Sequence, residues 1–294
     1  MFECTSCPRK CKIDRSKDRG LCGANDTIEI ASHCLHRGEE PVISGVKGSG
    51  TIFFSHCNLK CVYCQNYDIS QEGLGKATSP EELITIMLSL QNDGAHNINF
   101  VSPSHYAYLL PDIIKKAKKQ GLDIPVVYNT NAFDNVISLK NLEGLIDIYM
   151  PDIKYSENKN AALYSKCDNY VEYSRHAIAE MFRQVGPLEL NDEEIATHGL
   201  LVRHLVLPHD VAGSYASLDF LASLSNQIYV SIMAQYHPCH NSINYNNLHR
   251  TIKSKEYKCV VDYAVELGFE RIFTQEMTSH DTYLPNFNED HPFE

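Results

Sequence analysis

The chain has 294 residues, 43% hydrophobic and 21% charged, which suits a soluble protein with a full hydrophobic core. No apolar run approaches the roughly 18 residues that span a bilayer, and the opening MFECTSCPRKCK lacks the apolar centre of a signal peptide, so no membrane partner and a cytoplasmic location are expected. A net charge of −11 weighs against a nucleic-acid backbone as the main partner.

In chain order, residues 1–45 are polar and cysteine-rich, a segment too poor in periodic apolar residues to fold without metal. Cys4, Cys7, Cys11 and Cys22 form C-x2-C-x3-C-x10-C there; four thiolates so spaced suit tetrahedral zinc or a second iron–sulfur cluster. Arg9, Lys10, Lys12, Arg15, Lys17 and Arg19 crowd the same stretch and read as a solvated face or a basic patch. The apolar run 51–54 predicts a buried strand. A helix is expected over about 79–93, with Ser79 as N-cap, Pro80 at the first position, Glu82 completing a capping box and Gly94 as the stop. Strand 98–101 follows, then a helical segment ending near Gly121, strand 124–128, and strand 146–150 closed by Pro151. One long helical region is expected over 159–185. Strands 200–207 and 228–232, a helix over 254–267 and strand 271–274 complete the alternation. The last sixteen residues, SHDTYLPNFNEDHPFE, predict an acidic, extended tail over the surface or a mouth.

Short apolar strands alternating with helical patterns imply right-handed βαβ units and a parallel sheet. Six or seven such units predict an α/β partial (β/α)6 TIM-like barrel with a small N-terminal Cys-rich metal module. The boundaries are 1–45 for the module, 46–278 for the barrel and 279–294 for the tail. An open doubly wound sheet competes, but no G-x-G-x-x-G follows any strand.

Eleven cysteines in a cytosolic protein point to metal or redox chemistry rather than disulfides. The decisive run is HCNLKCVYCQN, directly after the first barrel strand. Cys57, Cys61 and Cys64 can hold three irons of a [4Fe-4S] cube and leave the fourth open to a non-protein ligand. A zinc site or buried free thiols is the plainer alternative. Active-site groups in barrels stand at the carboxyl ends of strands. Here those ends carry Ser102, Ser104 and His105; Asn129, Thr130 and Asn131; Asp152 and Lys154; Arg203, His204 and His209; and Gln235, Tyr236 and His237. Cys34, Cys167, Cys239 and Cys259 read as packing residues, Cys259 on the apolar face of the last helix.

These residues carry a resemblance. CNLKCVYCQN resembles the C-x3-C-x2-C signature of radical S-adenosylmethionine (SAM) enzymes. With EEPVISGVKGSGTIFFSH, GAHNINFVSPSHY, VVYNTNAF, DIYMPDIKY, VRHLVLP and SIMAQYHP, the chain is similar to the pyruvate formate-lyase-activating-enzyme-like branch whose N-terminus carries a CxxCPRxC segment. The resemblance implies a [4Fe-4S] cluster on Cys57, Cys61 and Cys64, SAM chelating the open iron, and reductive cleavage of SAM to a 5′-deoxyadenosyl radical that abstracts hydrogen. It implies a protein substrate such as a glycyl radical enzyme, and an electron donor such as flavodoxin or ferredoxin. Neighbouring families act instead on RNA or small molecules, and a non-enzymatic iron–sulfur or zinc protein is the remaining alternative. Transferred residue by residue, Tyr63 packs near the adenine, and Asn129 opens an N-T-N segment resembling D-T-N. Asp152 and Lys154 match D-x-K, Lys154 suiting the methionine carboxylate. Arg203 is a further cofactor-binding candidate, and His237 resembles the histidine of a P-Y-H segment. Many members carry G-G-E after strand two, for the methionine amino group; here Ser102 and Ser104 stand at that place without a carboxylate.

Overall fold

A computed structural model describes residues 4–282, 285–287, 289 and 292–293. Its strands are β1 (Ile28–His36), β2 (Ser49–Phe54), β3 (Lys76–Thr78), β4 (Ile98–Val101), β5 (Val126–Thr130), β6 (Ile148–Pro151), β7 (Glu189–Leu190), β8 (Ala196–Leu205), β9 (Tyr229–Met233) and β10 (Ile272–Thr274). They form one sheet in the order β10-β9-β8-β6-β5-β4-β2-β1-β3, with β7 beside β8. Every pair from β10 to β2 along that path is parallel. β1 runs antiparallel to both β2 and β3. The sheet ends in two edges and does not close, so the chain is the expected partial barrel.

Burial explains the parallel order. Every residue of β2, β4, β5 and β6 is buried, as strands covered on both faces must be. The covering helices are α1 (Pro41–Ser44), α2 (Tyr67–Ser70), α3 (Pro80–Asn92), α4 (Leu110–Lys119), α5 (Val136–Lys140), α6 (Asn158–Ser165), α7 (Tyr170–Val185), α8 (Ser214–Leu224) and α9 (Ser254–Glu266). The α3 capping box forms as expected: Ser79 N–H donates to Glu82 Oε2 at 2.7 Å, and Glu82 N–H to Ser79 Oγ at 3.2 Å. Leu83, Ile84, Met87 and Leu90 of that helix enter the main core beside Ile52, Phe54 and Phe100.

Three expectations meet a different structure. First, residues 28–36, read only as part of a polar segment, form β1 and lay Ile28 and Ile30 into the core. Second, the long helix over 159–185 is broken into α6 and α7 by Lys166, whose φ of 54° is left-handed. The break has a local cause: Ser165 and Tyr164 turn their carbonyls to the cysteine loop, accepting Lys60 N–H at 3.1 Å and Val62 N–H at 2.8 Å. Third, Cys259 is exposed rather than packed. The basic run is a solvated face only in part, with Lys10, Lys12, Lys17 and Arg19 exposed. Arg15 is buried, Arg9 Nε donates to the Asn58 carbonyl at 2.9 Å, and Arg19 pairs with Glu29 at 2.8 Å. In the tail, Phe287 and Phe293 pack on Phe53 with ring centroids 5.3 and 5.4 Å away. Among the described residues no helix is long and apolar enough to cross a membrane.

Candidate active site

The carboxyl ends of the parallel strands converge on one cavity of about 660 Å³. Its wall includes Cys57, Cys61 and Cys64 from the loop after β2, Ser102 after β4, Asn129 to Asn131 at the end of β5, Asp152 and Lys154 after β6, and Arg203 in β8. Backbone strain collects around it: His56, Ser102 and Ala132 are non-glycine residues with φ of 71°, 57° and 61°. Left-handed conformations at such residues persist only where their surroundings hold them.

The three thiols are held from several directions. Asn131 Nδ2 donates to Cys57 Sγ at 3.3 Å, and Leu59 N–H to the same sulfur at 3.4 Å. Ser165 Oγ donates to Cys61 Sγ at 3.0 Å, and Ser70 Oγ lies 3.2 Å from Cys64 Sγ. Burial pushes the free thiols of Cys57 and Cys61 up to about 11. A metal entering this site must therefore displace their protons.

The opposite wall is a buried ionic network. Arg203 donates through Nε to Asp152 Oδ1 at 2.8 Å, through one terminal nitrogen to Glu39 Oε2 at 2.9 Å, and through the other to Asn129 Oδ1 at 2.6 Å. Lys154 Nζ donates to Asp152 Oδ2 at 2.8 Å. Burial opposes the charge on Asp152, but Arg203 and Lys154 hold its carboxyl below the usual value. Burial also opposes the charge on Lys154, yet Asp152 and then Cys61 hold its ammonium above the usual value. Tyr170 ties the strand ends together: its hydroxyl accepts Lys154 N–H and reaches the carbonyls of Asn131 and Asp152, each at 2.9 Å.

Of the residues expected at the cofactor, Tyr63, Ser102, Asn129, Asp152, Lys154 and Arg203 reach this cavity; Ser104 and His237 are not part of its wall. Ser104 is buried behind it, sharing a 2.9 Å hydrogen bond with Thr130 Oγ1. The His237 ring instead lies 6.2 Å from that of His280. His204 is likewise outside that wall and fully buried, its ring nitrogens 2.8 Å from the Ile153 carbonyl and from Ser214 Oγ.

Sequence reasoning passed over Glu39 and Glu40, which precede α1 and line the cavity. The only signal was their place in EEPVISG, with no strand end to mark it. They bring two further carboxyls to the cavity wall. Burial raises both carboxyls against the pull of Arg203. Glu40 Oε2 is buried without a hydrogen-bond partner. The four N-terminal cysteines stand elsewhere, none of them in the cavity wall.

The comparisons agree with this geometry. The model of the Radical SAM superfamily matches residues 51–198, more than half of the chain, and the chain belongs to that superfamily. An uncharacterized protein of Methanocaldococcus jannaschii is 30% identical over 278 residues, covering 92% of this chain and 76% of the relative. Among solved structures, Streptococcus suis SuiB bound to its precursor peptide SuiA shares the fold with a TM-score of 0.54 at 13% identity, over 78% of this chain and 49% of SuiB. HydG, a maturase of the [FeFe]-hydrogenase, does so with a TM-score of 0.54 at 15% identity, over 79% of this chain and 53% of HydG. The chain thus spans about half the length of these two structures.

Superfamily membership implies a radical SAM enzyme that uses a [4Fe-4S] cluster and SAM. The residues present fit both groups. Three thiols on one loop match a cluster with one iron left open. SAM carries an ammonium and a carboxylate; the unpartnered Glu40 oxygen suits the first and the Lys154 ammonium the second.

Proposed function

We propose that Cys57, Cys61 and Cys64 hold the [4Fe-4S] cluster and that the enzyme abstracts hydrogen from a protein partner, as an activating oxidoreductase of a glycyl radical enzyme does. One observation carries the site: the three thiols share a single cavity with the Lys154–Asp152–Arg203 network. When bound, the reduced cluster supplies one electron to the SAM sulfonium, yielding methionine and a 5′-deoxyadenosyl radical.

The protein's part is placement. Lys154 fixes the methionine carboxylate, and Asp152, itself held by Arg203, aims the Lys154 ammonium. Glu40 accepts from the ammonium of SAM. Asn129 and Ser102 offer polar contacts at the ends of β5 and β4. Tyr63 contributes an aromatic face, braced edge-on by Tyr155 and Tyr236 with centroids 6.5 and 5.9 Å away. Buried aromatic and aliphatic side chains around these groups exclude water from a reactive species. A one-electron donor of the flavodoxin or ferredoxin kind supplies the reductant, and a cytoplasmic location suits that pairing. An electron carrier that did no chemistry would have no use for such a cavity.

The test is anaerobic: protein reconstituted with iron and sulfide receives a strong reductant and SAM. Formation of 5′-deoxyadenosine and methionine is expected, and their absence above an unreduced control sinks the proposal. Transfer of deuterium from a glycine-labelled partner into 5′-deoxyadenosine would then identify the substrate class.

A further inference from the structure

Cys4, Cys7 and Cys22 are buried and Cys11 is half-buried, away from the cavity. Two tight turns gather them. In the first, Lys10 N–H donates to the Cys7 carbonyl at 3.1 Å and Lys12 N–H to the Cys4 carbonyl at 3.0 Å. In the second, Gly20 N–H donates to the Ala24 carbonyl and Gly23 N–H to the Gly20 carbonyl, both at 2.9 Å. The sulfurs of Cys22 and Cys11 both flank Gly20, where an added Cβ would lie 3.3 and 3.7 Å from them. Backbone donors aim at these sulfurs: Ala24 N–H lies 3.4 Å from Cys22 Sγ, and Leu21 N–H 3.5 Å from Cys11 Sγ. Cys22 and Ala24 repeat the arrangement of Cys57 and Leu59 at the first site, an amide two residues on pointing back at the sulfur. Donors so placed favour a sulfur that carries charge.

Arg15 gives an independent observation. It is only 2% exposed, yet its guanidinium donates to two backbone carbonyls, those of His105 and Asn25, and not to a carboxylate. It lies over the rings of Tyr106 and Tyr108, 5.6 and 5.2 Å from their centroids, and its Nε has no partner. A buried cation without a counter-charge is strongly disfavoured. Neutral thiols leave Arg15 uncompensated, whereas four metal-bound thiolates carry net negative charge beside it.

We propose that Cys4, Cys7, Cys11 and Cys22 ligate a second metal centre, an iron–sulfur cluster whose every iron is held by protein. The amide-to-sulfur contact shared by Cys22 and Cys57 favours a cluster of the same kind as the first over a single ion. The two centres are neighbours. Lys60, beside Cys61, donates from Nζ to the Cys22 carbonyl at 3.2 Å, and Arg9 reaches the carbonyl of Asn58, beside Cys57.

Metal and sulfide content of the anaerobically reconstituted full chain tests this. The wild type should bind about eight irons, four per cubane, and the Cys57→Ser, Cys61→Ser, Cys64→Ser variant should keep about four with a spectrum that SAM does not change. Conversely, Cys7→Ser with Cys11→Ser should lose about half the iron and keep a spectrum that responds to SAM. An iron-free triple variant, or zinc in place of the iron, overturns the assignment. Should either variant fail to fold, as circular dichroism would show, the other decides alone. The count reads the N-terminal centre whether or not 5′-deoxyadenosine forms, so its failure and that of the proposed function are distinguishable.

Discussion

In the two proposed centres, the loop of Cys57, Cys61 and Cys64 and the segment of Cys4, Cys7, Cys11 and Cys22 put the same ligand chemistry to opposite ends. Three thiols face a cavity whose far wall carries both signs of charge, from Arg203 and Lys154 to Glu39 and Asp152. Four thiols instead stand clear of that cavity, with a single buried cation, Arg15, behind them. The difference teaches that thiol count and access, rather than sulfur chemistry, separate a reactive centre from a closed one.

The sharpest way to break the comparison is Cys61→Ala. Production of 5′-deoxyadenosine should fall to the level of the unreduced control, while iron in the N-terminal centre stays. Next comes the ionic wall. Arg203→Met strands Glu39 as a buried carboxylate and leaves Asp152 with Lys154 alone, and urea unfolding should show a loss of about 3–5 kcal/mol. A pH effect of similar size belongs to His36. Burial, and then Arg203, hold its imidazole down to about 4, against an ordinary value of 6.5. Its neutral form therefore contributes stability above pH 6.5 that fades as pH falls through 4, on the order of 3 kcal/mol in all. His36→Gln should flatten that part of a stability–pH curve; an unchanged slope would refute the assignment. Smaller again, Lys154→Met should weaken SAM binding about tenfold by isothermal titration, roughly 1.4 kcal/mol, with both iron contents unchanged. Smallest is Cys259→Ser: this exposed thiol belongs to neither group, so stability should move by less than about 0.5 kcal/mol and no iron should be lost.

Much of the barrel was legible because its strands are continuous apolar runs that end in polar groups. Ile98–Val101 falls at its expected place, and most other strands lie within two residues of theirs. β1 was not, since most of its residues are only half-buried and His33, Cys34 and His36 hide its alternation. The site was legible where a residue follows a strand, as at Asp152 and Lys154. It was illegible at Glu39, whose role depends on an ion pair to a residue 164 positions away. Ser104 and His237 follow strands too, but adjacency in sequence does not say which way a side chain turns once the strand has ended.

The interruption at Lys166 carries a consequence for how this chain tolerates change. The connector between α6 and α7 lies in the outer helical layer, where insertions are usually harmless. Here its first neighbour, Ser165, grips the Cys61 sulfur and the Lys60 amide, and Tyr164 grips the Val62 amide. One residue added or removed would shift that grip along the chain, so the length of this short joint is fixed by sulfur atoms on the other side of the wall.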